Sequence, residues 1–349
     1  MDSSFNRLSK SIESLRFPLI LFIIMLHCYT STRSQMSGHG TYFRIIYPLS
    51  LWAGETGVPA YFFISGLLLF NSKKSYGQKL VSRIKTLFVP YLFYNGIILV
   101  GYLVLMIMGE PAVILDKSLA DYNFFDYIRA FWDRGEWSGG NSSPLLCPFW
   151  YIRNLMVLVL ISPILYNIIK YTKLIFPIVM GVLWINCYDS AYTFQSLTMF
   201  SLGAFFPINN YNPIPLLNNY KYFFVSAFVV LGIMDFSHNY IHVTYALQFH
   251  RLSLIANVFF LIWIGEYLSK FHLYSSSLSK SAFFVFSIHY PLTLGLRPFF
   301  SYISNLPDIV LAIIYIACVC IITFICVGVY FGLRMIAPRL LNVITGSRS

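Results

Sequence analysis

Ten hydrophobic stretches recur along the whole chain, and they constrain its fold more than any other feature, although 17–30 and 194–208 are short for a bilayer core of about 30 Å. A soluble core cannot enclose so much apolar surface, since 58% of the 349 residues are hydrophobic, only 11% are charged and the mean hydropathy is +0.68. The sequence therefore predicts an all-α, polytopic integral membrane protein with about ten transmembrane helices. The ten stretches are 17–30, 47–70, 87–108, 149–169, 174–188, 194–208, 222–236, 252–268, 282–302 and 309–336.

The positively charged residues of the chain are distributed unequally between the two sides of this predicted membrane. The formal net charge is +11. With a cytoplasmic amino terminus, most Lys and Arg side chains fall on the cytoplasmic side, whereas segment 109–148 lies outside and is rich in Asp and Glu. We therefore expect both termini in the cytoplasm, and this orientation explains the basic character without any nucleic acid. No separate soluble domain is visible, so residues 1–349 are predicted to form a single transmembrane domain.

Arg16 and His27 are eleven positions apart in the first part of the chain, and the residues between them carry no charge. In an α-helix, eleven steps return to within about 20° of the starting direction and advance about 16 Å. Arg16 is therefore expected near one membrane surface, on the same helix face as a His27 about halfway across. A histidine at that depth is costly to bury and usually faces a protein interior or a wet cavity, so His27 is the first candidate for chemistry.

A run of basic residues lies between the second and third hydrophobic stretches, in segment 71–91. One interpretation is that these charges mark the cytoplasmic side and contact anionic lipid headgroups. The other is that Arg83 and Lys85 clamp the phosphates of a cytoplasmic donor, because Arg forks onto phosphate oxygens and Lys supplies a point charge. Their position on the same membrane side as Arg16 favours the clamp.

Three further polar side chains lie within or near predicted helices. Glu55, near the outer end of the second stretch, can pair with an arginine, orient a histidine or bind a hydroxyl acceptor, whereas the small residues that follow it indicate helix packing. Arg153 can snorkel outward or pair with Glu55 at a similar depth. His289 is a second intramembrane histidine, for which structural and functional roles are both open. The histidines expected in polar surface roles are His39, His238, His242, His250 and His272.

The reagents that the sequence offers are imidazole, guanidinium and carboxylate groups. The six cysteines are scattered without metal-ligand or disulfide spacing, and no serine elbow, Walker loop or HExxH motif occurs, so no metal site is expected. This inventory suits acyl transfer from an activated thioester to a hydroxyl, in which imidazole acts as the general base. A transporter or flippase that binds an anionic substrate with the same side chains is the alternative class.

Five segments, in chain order, resemble motifs of the membrane acyltransferase 3 family, the bacterial O-acyltransferases that modify surface glycans. In the first segment, Arg16 and His27 match an arginine and a histidine separated by ten residues. One difference lies in the basic segment, where the family commonly has a second arginine three residues after the first. Thr86 occupies that place, and Lys85 is expected to substitute for the arginine. The matching segments are 16–27, 57–66, 82–91, 149–155 and 284–291.

The resemblance implies an integral membrane O-acyltransferase, most simply an O-acetyltransferase, in the bacterial inner membrane. Its donor would be cytoplasmic acetyl-CoA, used as a cosubstrate, with no tightly bound cofactor. A succinyl donor is the alternative within the family. The acceptor would be a hydroxyl of a cell-surface polysaccharide or of a lipid-linked glycan precursor. Membrane lipids are the other expected partners, and a homo-oligomer is left open.

Roles for the candidate residues follow from the same resemblance. Arg83 and Lys85 would hold the CoA phosphates, and Arg16 would guide the pantetheine entrance. His27 would act as the base, or would carry the acyl group transiently, and the sequence leaves both mechanisms open. The side chains that would orient the acceptor or the intermediate are Glu55, Arg153 and His289.

Overall fold

The computed structural model describes residues 3–34, 40, 42–114, 117–138, 141–188, 190–237 and 245–347. The surface roles predicted for His39, His238 and His242 fall outside these ranges. Helices form almost all of the regular structure, as the composition predicts. The helices of the first half of the chain are α1 (Ser3–Thr32), α2 (Tyr47–Gly54), α3 (Gly57–Asn71), α4 (Tyr76–Arg83), α5 (Val89–Ile107), α6 (Phe124–Trp132), α7 (Trp150–Leu160) and α8 (Ser162–Thr172).

The second half of the chain continues as helices. These helices are α9 (Ile175–Asn186), α10 (Ala191–Ile208), α11 (Pro213–Asn219), α12 (Lys221–Ser237), α13 (Ala246–Lys270), α14 (Ser276–Leu294), α15 (Leu296–Ile303), α16 (Asp308–Ile336) and α17 (Pro338–Ile344). Short π-helical turns, Tyr42–Ile46 and Ile84–Phe88, precede α2 and α5. Two small antiparallel hairpins pair β1 (Val113–Ile114) with β2 (Lys117–Ser118) and β3 (Glu136–Ser138) with β4 (Asn141–Ser142).

Within the described residues, five helical segments are long and apolar enough to cross a membrane, or up to seven if two bent helix pairs each count as one span. The prediction of a helical membrane protein is therefore confirmed, but ten spans are not. Helix α9 has 12 residues, fewer than the ~20 that cross a bilayer, and α10 and α14 carry several Ser and Thr side chains. The five segments are Arg7–Thr32, Arg44–Asn71, Tyr76–Ile107, Ala246–Lys270 and Asp308–Ile336.

The chain divides into two compact units. The first comprises Met1–Asn71 and Met199–Gly332, and the second comprises Ser72–Thr198 and Leu333–Ser349. Each unit therefore combines segments that are far apart in the sequence. The expectation that residues 1–349 act as a single transmembrane domain stays a prediction.

Helix α1 is the central helix of the first unit and packs mainly against α13 and α14. Two serines on its buried face bind backbone carbonyls of α13. The Ser11 hydroxyl donates to the Ile262 carbonyl at 3.1 Å, and the Ser14 hydroxyl donates to the Gly265 carbonyl at 2.9 Å. A Cβ atom on Gly265 would lie 2.7 Å from Leu15 Cγ, so the glycine permits this close approach of the two helices.

The second span, Arg44–Asn71, packs along α1 and runs antiparallel to it. Gly54 packs against Leu26, since a Cβ atom on Gly54 would lie 2.6 Å from Leu26 Cβ. Further along the chain, the Tyr61 hydroxyl donates to the Arg16 carbonyl at 2.6 Å. Between these two points, a Cβ atom on Gly57 would lie 2.7 Å from Ile23 Cγ1, so this small residue after Glu55 serves helix packing. Together the contacts align the second span with both ends of the Arg16–His27 segment.

In the second unit, the segment that links α5 to α7 folds over the end of α5. Its buried apolar side chains, among them Ile114, Leu119 and Leu145, form a small core against α5. The Lys117 ammonium donates to the Asp126 carboxylate at 2.8 Å, and this hydrogen bond lowers the pKa of the Asp126 carboxyl. The segment therefore has its own packed structure.

Candidate active site

Helices α1 and α14 bring two histidines together in the first unit. The imidazole rings of His27 and His289 have centroids 5.2 Å apart and are inclined at 44°, and the Tyr290 ring stands edge-on to His27 at 5.0 Å. The His27 side chain is partly exposed, and its ring has no hydrogen-bond partner within the described residues. The structure thus joins two candidates that the sequence placed in separate spans.

The hydrogen bonds of His289 fix which of its ring nitrogens carries the proton. Nδ1 lies 2.8 Å from the Phe286 carbonyl, and because a carbonyl only accepts, Nδ1 donates. In the neutral ring, Nε2 then keeps its lone pair. This nitrogen is fully buried and has no hydrogen-bond partner in the part of the chain that the structure describes. A buried acceptor without a partner costs free energy, so the lone pair is suited to accept from a substrate group.

Helix α1 extends on both sides of the Arg16–His27 segment. It runs from Ser3 to Thr32, so His27 lies five residues, or about 8 Å, from its carboxyl-terminal end. Arg16 and His27 therefore belong to one continuous helix, as their spacing predicts, and their depths in the membrane stay predictions.

Arg16 has no ionic partner among the described residues. Its side chain is partly buried, and its backbone carbonyl accepts from Tyr61. A half-buried guanidinium whose donors are not taken by any described residue is available for an anionic ligand.

Glu55 belongs to a charged cluster that the sequence did not predict. Glu55 lies in the break between α2 and α3, where its Oε2 is 3.0 Å from His250 Nε2. The other ring nitrogen of His250, Nδ1, is 2.8 Å from Asp235 Oδ2. Because carboxylate oxygens only accept, both nitrogens donate, and His250 fits as an imidazolium between two carboxylates. We call this group the Glu55–His250–Asp235 cluster.

One prediction is corrected by this cluster. His250 was expected in a polar surface role, but only 15% of its side chain is exposed, and it lies within α13. For Glu55, the sequence left pairing with an arginine, orientation of a histidine and binding of a hydroxyl open, and the structure pairs it with the histidine His250. The signal that could have indicated the cluster is Asp235, the one acidic residue of stretch 222–236, which comes shortly before His250 in the sequence.

Arg153 ties together the segment that precedes its helix. Its Nη1 donates to the Trp132 carbonyl at 2.8 Å and to the Ser142 hydroxyl at 3.0 Å, and its Nη2 donates to the Ser142 carbonyl at 3.0 Å. The side chain is buried, and the guanidinium also lies 5.6 Å from the centre of the Trp132 ring. These contacts show that Arg153 stabilises the segment before α7. Its role in orienting a substrate stays a prediction.

The basic segment opens with a well-capped helix in the second unit. The Ser75 hydroxyl accepts from the Gln78 backbone N–H, and the Gln78 side-chain oxygen accepts from the Ser75 backbone N–H, which fixes the start of α4. Arg83 ends α4 and is partly buried, whereas Lys85 is exposed. Neither side chain has an ionic partner within the described residues. Both cations are therefore free to meet an anion.

Thr86 lies where the family commonly has a second arginine, and the carboxyl-terminal turn packs on it. Gly346, at φ +63°, sits so close that a Cβ atom there would lie 2.5 Å from Thr86 Cα. The contact is with the Thr86 backbone, so it explains the glycine at position 346. Substitution of the absent arginine by Lys85, the preceding residue, stays a prediction.

The fold and these contacts define a polytopic helical membrane protein with paired histidines in its helices. In the described part of the chain, no group of three or more His, Cys, Asp or Glu residues has metal-binding geometry. A family model described as an acyltransferase domain matches residues 9–331. The chain therefore belongs to the acyltransferase 3 family, as its motifs predict, and is an acyltransferase of that family. No curated protein and no solved structure matches it.

Proposed function

We propose that the protein transfers an acetyl group from acetyl-CoA to a hydroxyl of a cell-surface polysaccharide or of a lipid-linked glycan precursor. It would do so in the bacterial inner membrane, with ten spans and both termini in the cytoplasm. The observation that carries the proposal is the pair of imidazole rings of His27 and His289, 5.2 Å apart, in a chain that matches the family over residues 9–331. A succinyl donor remains the alternative.

In the proposed reaction, His27 is the general base. Its ring has no hydrogen-bond partner within the described residues, so a nitrogen lone pair can take the proton of the acceptor hydroxyl. The hydroxyl oxygen then attacks the thioester carbonyl, the C–S bond breaks, and the CoA thiolate leaves and recovers the proton. The products are the O-acetyl ester and CoA. An acyl-His27 intermediate would divide the same transfer into two steps.

His289 supports this chemistry through its Nε2 lone pair. The hydrogen bond from Nδ1 to the Phe286 carbonyl holds the ring in one orientation, so Nε2 is a fixed acceptor beside the His27 ring. We assign His289 to bind the acceptor or the His27 imidazolium that forms during transfer.

The donor-binding roles rest on free cations. Arg83 and Lys85 are assigned to the phosphates of CoA because both lack ionic partners in the described residues and both lie in the basic motif of the family. Arg16 is assigned to the pantetheine entrance for the same reason.

The test is the release of CoA thiol by purified full-length protein in detergent. The probes are acetyl-CoA and envelope glycan extracted from a strain that lacks the gene. We expect thiol release that depends on the glycan, together with an alkali-labile acetyl ester on the glycan. Absence of thiol release, with glycan movement across vesicles that contain the protein, would identify a transporter or flippase instead. Faster thiol release from succinyl-CoA than from acetyl-CoA would change the proposed donor and leave the rest of the proposed function unchanged.

A further inference from the structure

The Glu55–His250–Asp235 cluster places three ionisable groups between apolar helices. Two carboxylates and one imidazolium leave a net negative charge, and charges at such positions are costly unless they are paired and hydrogen-bonded. Asp235 and His250 meet this requirement, whereas Glu55 uses only Oε2 for a hydrogen bond within the described residues. A carboxylate with a spare oxygen in a membrane protein is a candidate functional site.

The two carboxylates of the cluster differ in their surroundings. Asp235 is buried, with 4% of its side chain exposed, and it also accepts from the Ser253 hydroxyl at 2.8 Å. Glu55 has 38% of its side chain exposed, and its Oε1 has no hydrogen-bond partner within the described residues. Asp235 is therefore the anchored end of the cluster, and Glu55 is the open end.

The helix break holds Glu55 in a defined place. Beside it, the Thr56 and Asn257 side chains are hydrogen-bonded at 2.9 Å, which ties the break to α13. On the other side, Gly54 packs against Leu26, the residue directly before His27. Gly54 directly precedes Glu55, just as Leu26 directly precedes His27. This contact therefore holds the Glu55 backbone against the helix that carries the proposed base.

We propose that Asp235 and His250 are positioning residues that hold the Glu55 carboxylate so that its free oxygen binds a hydroxyl of the acceptor sugar, next to the hydroxyl that is acylated. The inference rests on the proposed function. It defines the acceptor as a polyol with neighbouring hydroxyls, one donating to Glu55 Oε1 and the other giving its proton to His27. Removal of the Glu55 charge then weakens acceptor binding and leaves donor binding unchanged.

The test is steady-state kinetics of full-length protein in detergent, with acetyl-CoA and glycan from the deletion strain as probes. Glu55→Gln should raise KM for the glycan by about tenfold to a hundredfold, the effect of losing a hydrogen bond to a charged group, while KM for acetyl-CoA stays within about threefold. His250→Gln and Asp235→Asn should raise KM for the glycan less. Glu110→Gln, at an exposed position, is the matched control and should change neither constant.

A double-mutant cycle distinguishes positioning from a separate structural role. If His250 acts through Glu55, the variant Glu55→Gln/His250→Gln should be no worse than Glu55→Gln alone. Should His250→Gln aggregate, the cycle with Asp235→Asn replaces it. Additive losses, an unchanged glycan KM in Glu55→Gln, or aggregation of Glu55→Gln would each overturn the inference.

The outcome for the wild type separates this inference from the proposed function. Wild-type protein that releases no CoA thiol with the glycan would refute the proposed function and the inference together. Wild-type protein that is active, beside a Glu55→Gln variant with an unchanged glycan KM, would refute the inference alone.

Discussion

The rings of His27 and His289 lie 5.2 Å apart on two helices that are separated by most of the chain. Only His289 is fixed by hydrogen bonds to backbone carbonyls, at 2.8 Å and 3.2 Å. The pair therefore combines a held acceptor with a ring that is free to exchange a proton. This asymmetry separates the two histidines by role.

Replacement of His289 by Asn tests that role. The Asn amide nitrogen can still donate to the Phe286 carbonyl, as Nδ1 does, but nothing replaces the Nε2 lone pair. We expect turnover to fall by about tenfold to a hundredfold, with a monodisperse protein, because one hydrogen bond to a charged intermediate is lost. His272→Asn, at an exposed site, is the control. Wild-type turnover in His289→Asn would exclude the lone pair from the reaction.

The reciprocal contact of Gly66 and Gly203 predicts a strong effect on stability. A Cβ atom on Gly66 would overlap the Phe200 carbonyl, and one on Gly203 would overlap the Phe63 carbonyl, so α3 and α10 meet backbone to backbone. Gly66→Ala should cost about 1–3 kcal/mol or more through overpacking. Thermal unfolding in detergent measures this loss. Gly328→Ala, where no atom lies within 4 Å, should be neutral or stabilising, and equal behaviour of the two variants would refute the contact.

The proposed orientation is tested with an impermeant thiol reagent on intact cells. Ser142 would be a poor labelling site, since it is bound to Arg153, whereas Ala120 in the same segment is exposed. Ala120→Cys should label from outside, above the wild-type background, and the exposed Gly77→Cys only after lysis. Labelling of Gly77→Cys in intact cells would reverse the topology and remove Arg83 from the donor side.

The basic segment is tested through donor affinity. Arg83→Ala should raise KM for acetyl-CoA, because a guanidinium that binds phosphate does so equally before and during the reaction. Lys85→Ala should have the same effect more mildly, if it substitutes for the arginine absent at Thr86. Lys74→Ala, exposed in the same loop but outside the motif, is the control. An unchanged KM in both test variants would leave the segment as a topology signal.

The sequence predicted those features of the fold that a local pattern of residues determines. Hydrophobic stretches located the helices, and the spacing of Arg16 and His27 identified the helix that is central to the first unit. The pairing of Glu55 with His250 could not be predicted, because it joins segments nearly two hundred residues apart through tertiary packing. The number of spans could not be predicted either, because a bend of 71° falls inside stretch 149–169 and one of 78° falls just before stretch 222–236, and hydropathy does not register a bend.

The measurement that tests the central claim most directly is turnover of purified, monodisperse His27→Ala protein, run beside wild type with acetyl-CoA and glycan. Because general acid–base catalysis contributes ~10²- to 10⁴-fold, turnover should fall by that factor, while acetyl-CoA binding stays near normal. The loss should be greater if His27 carries the acyl group itself. His27→Gln, closer in size, guards against a packing defect. Turnover within a few fold of wild type in either variant would contradict the account and leave His27 as a structural residue beside His289.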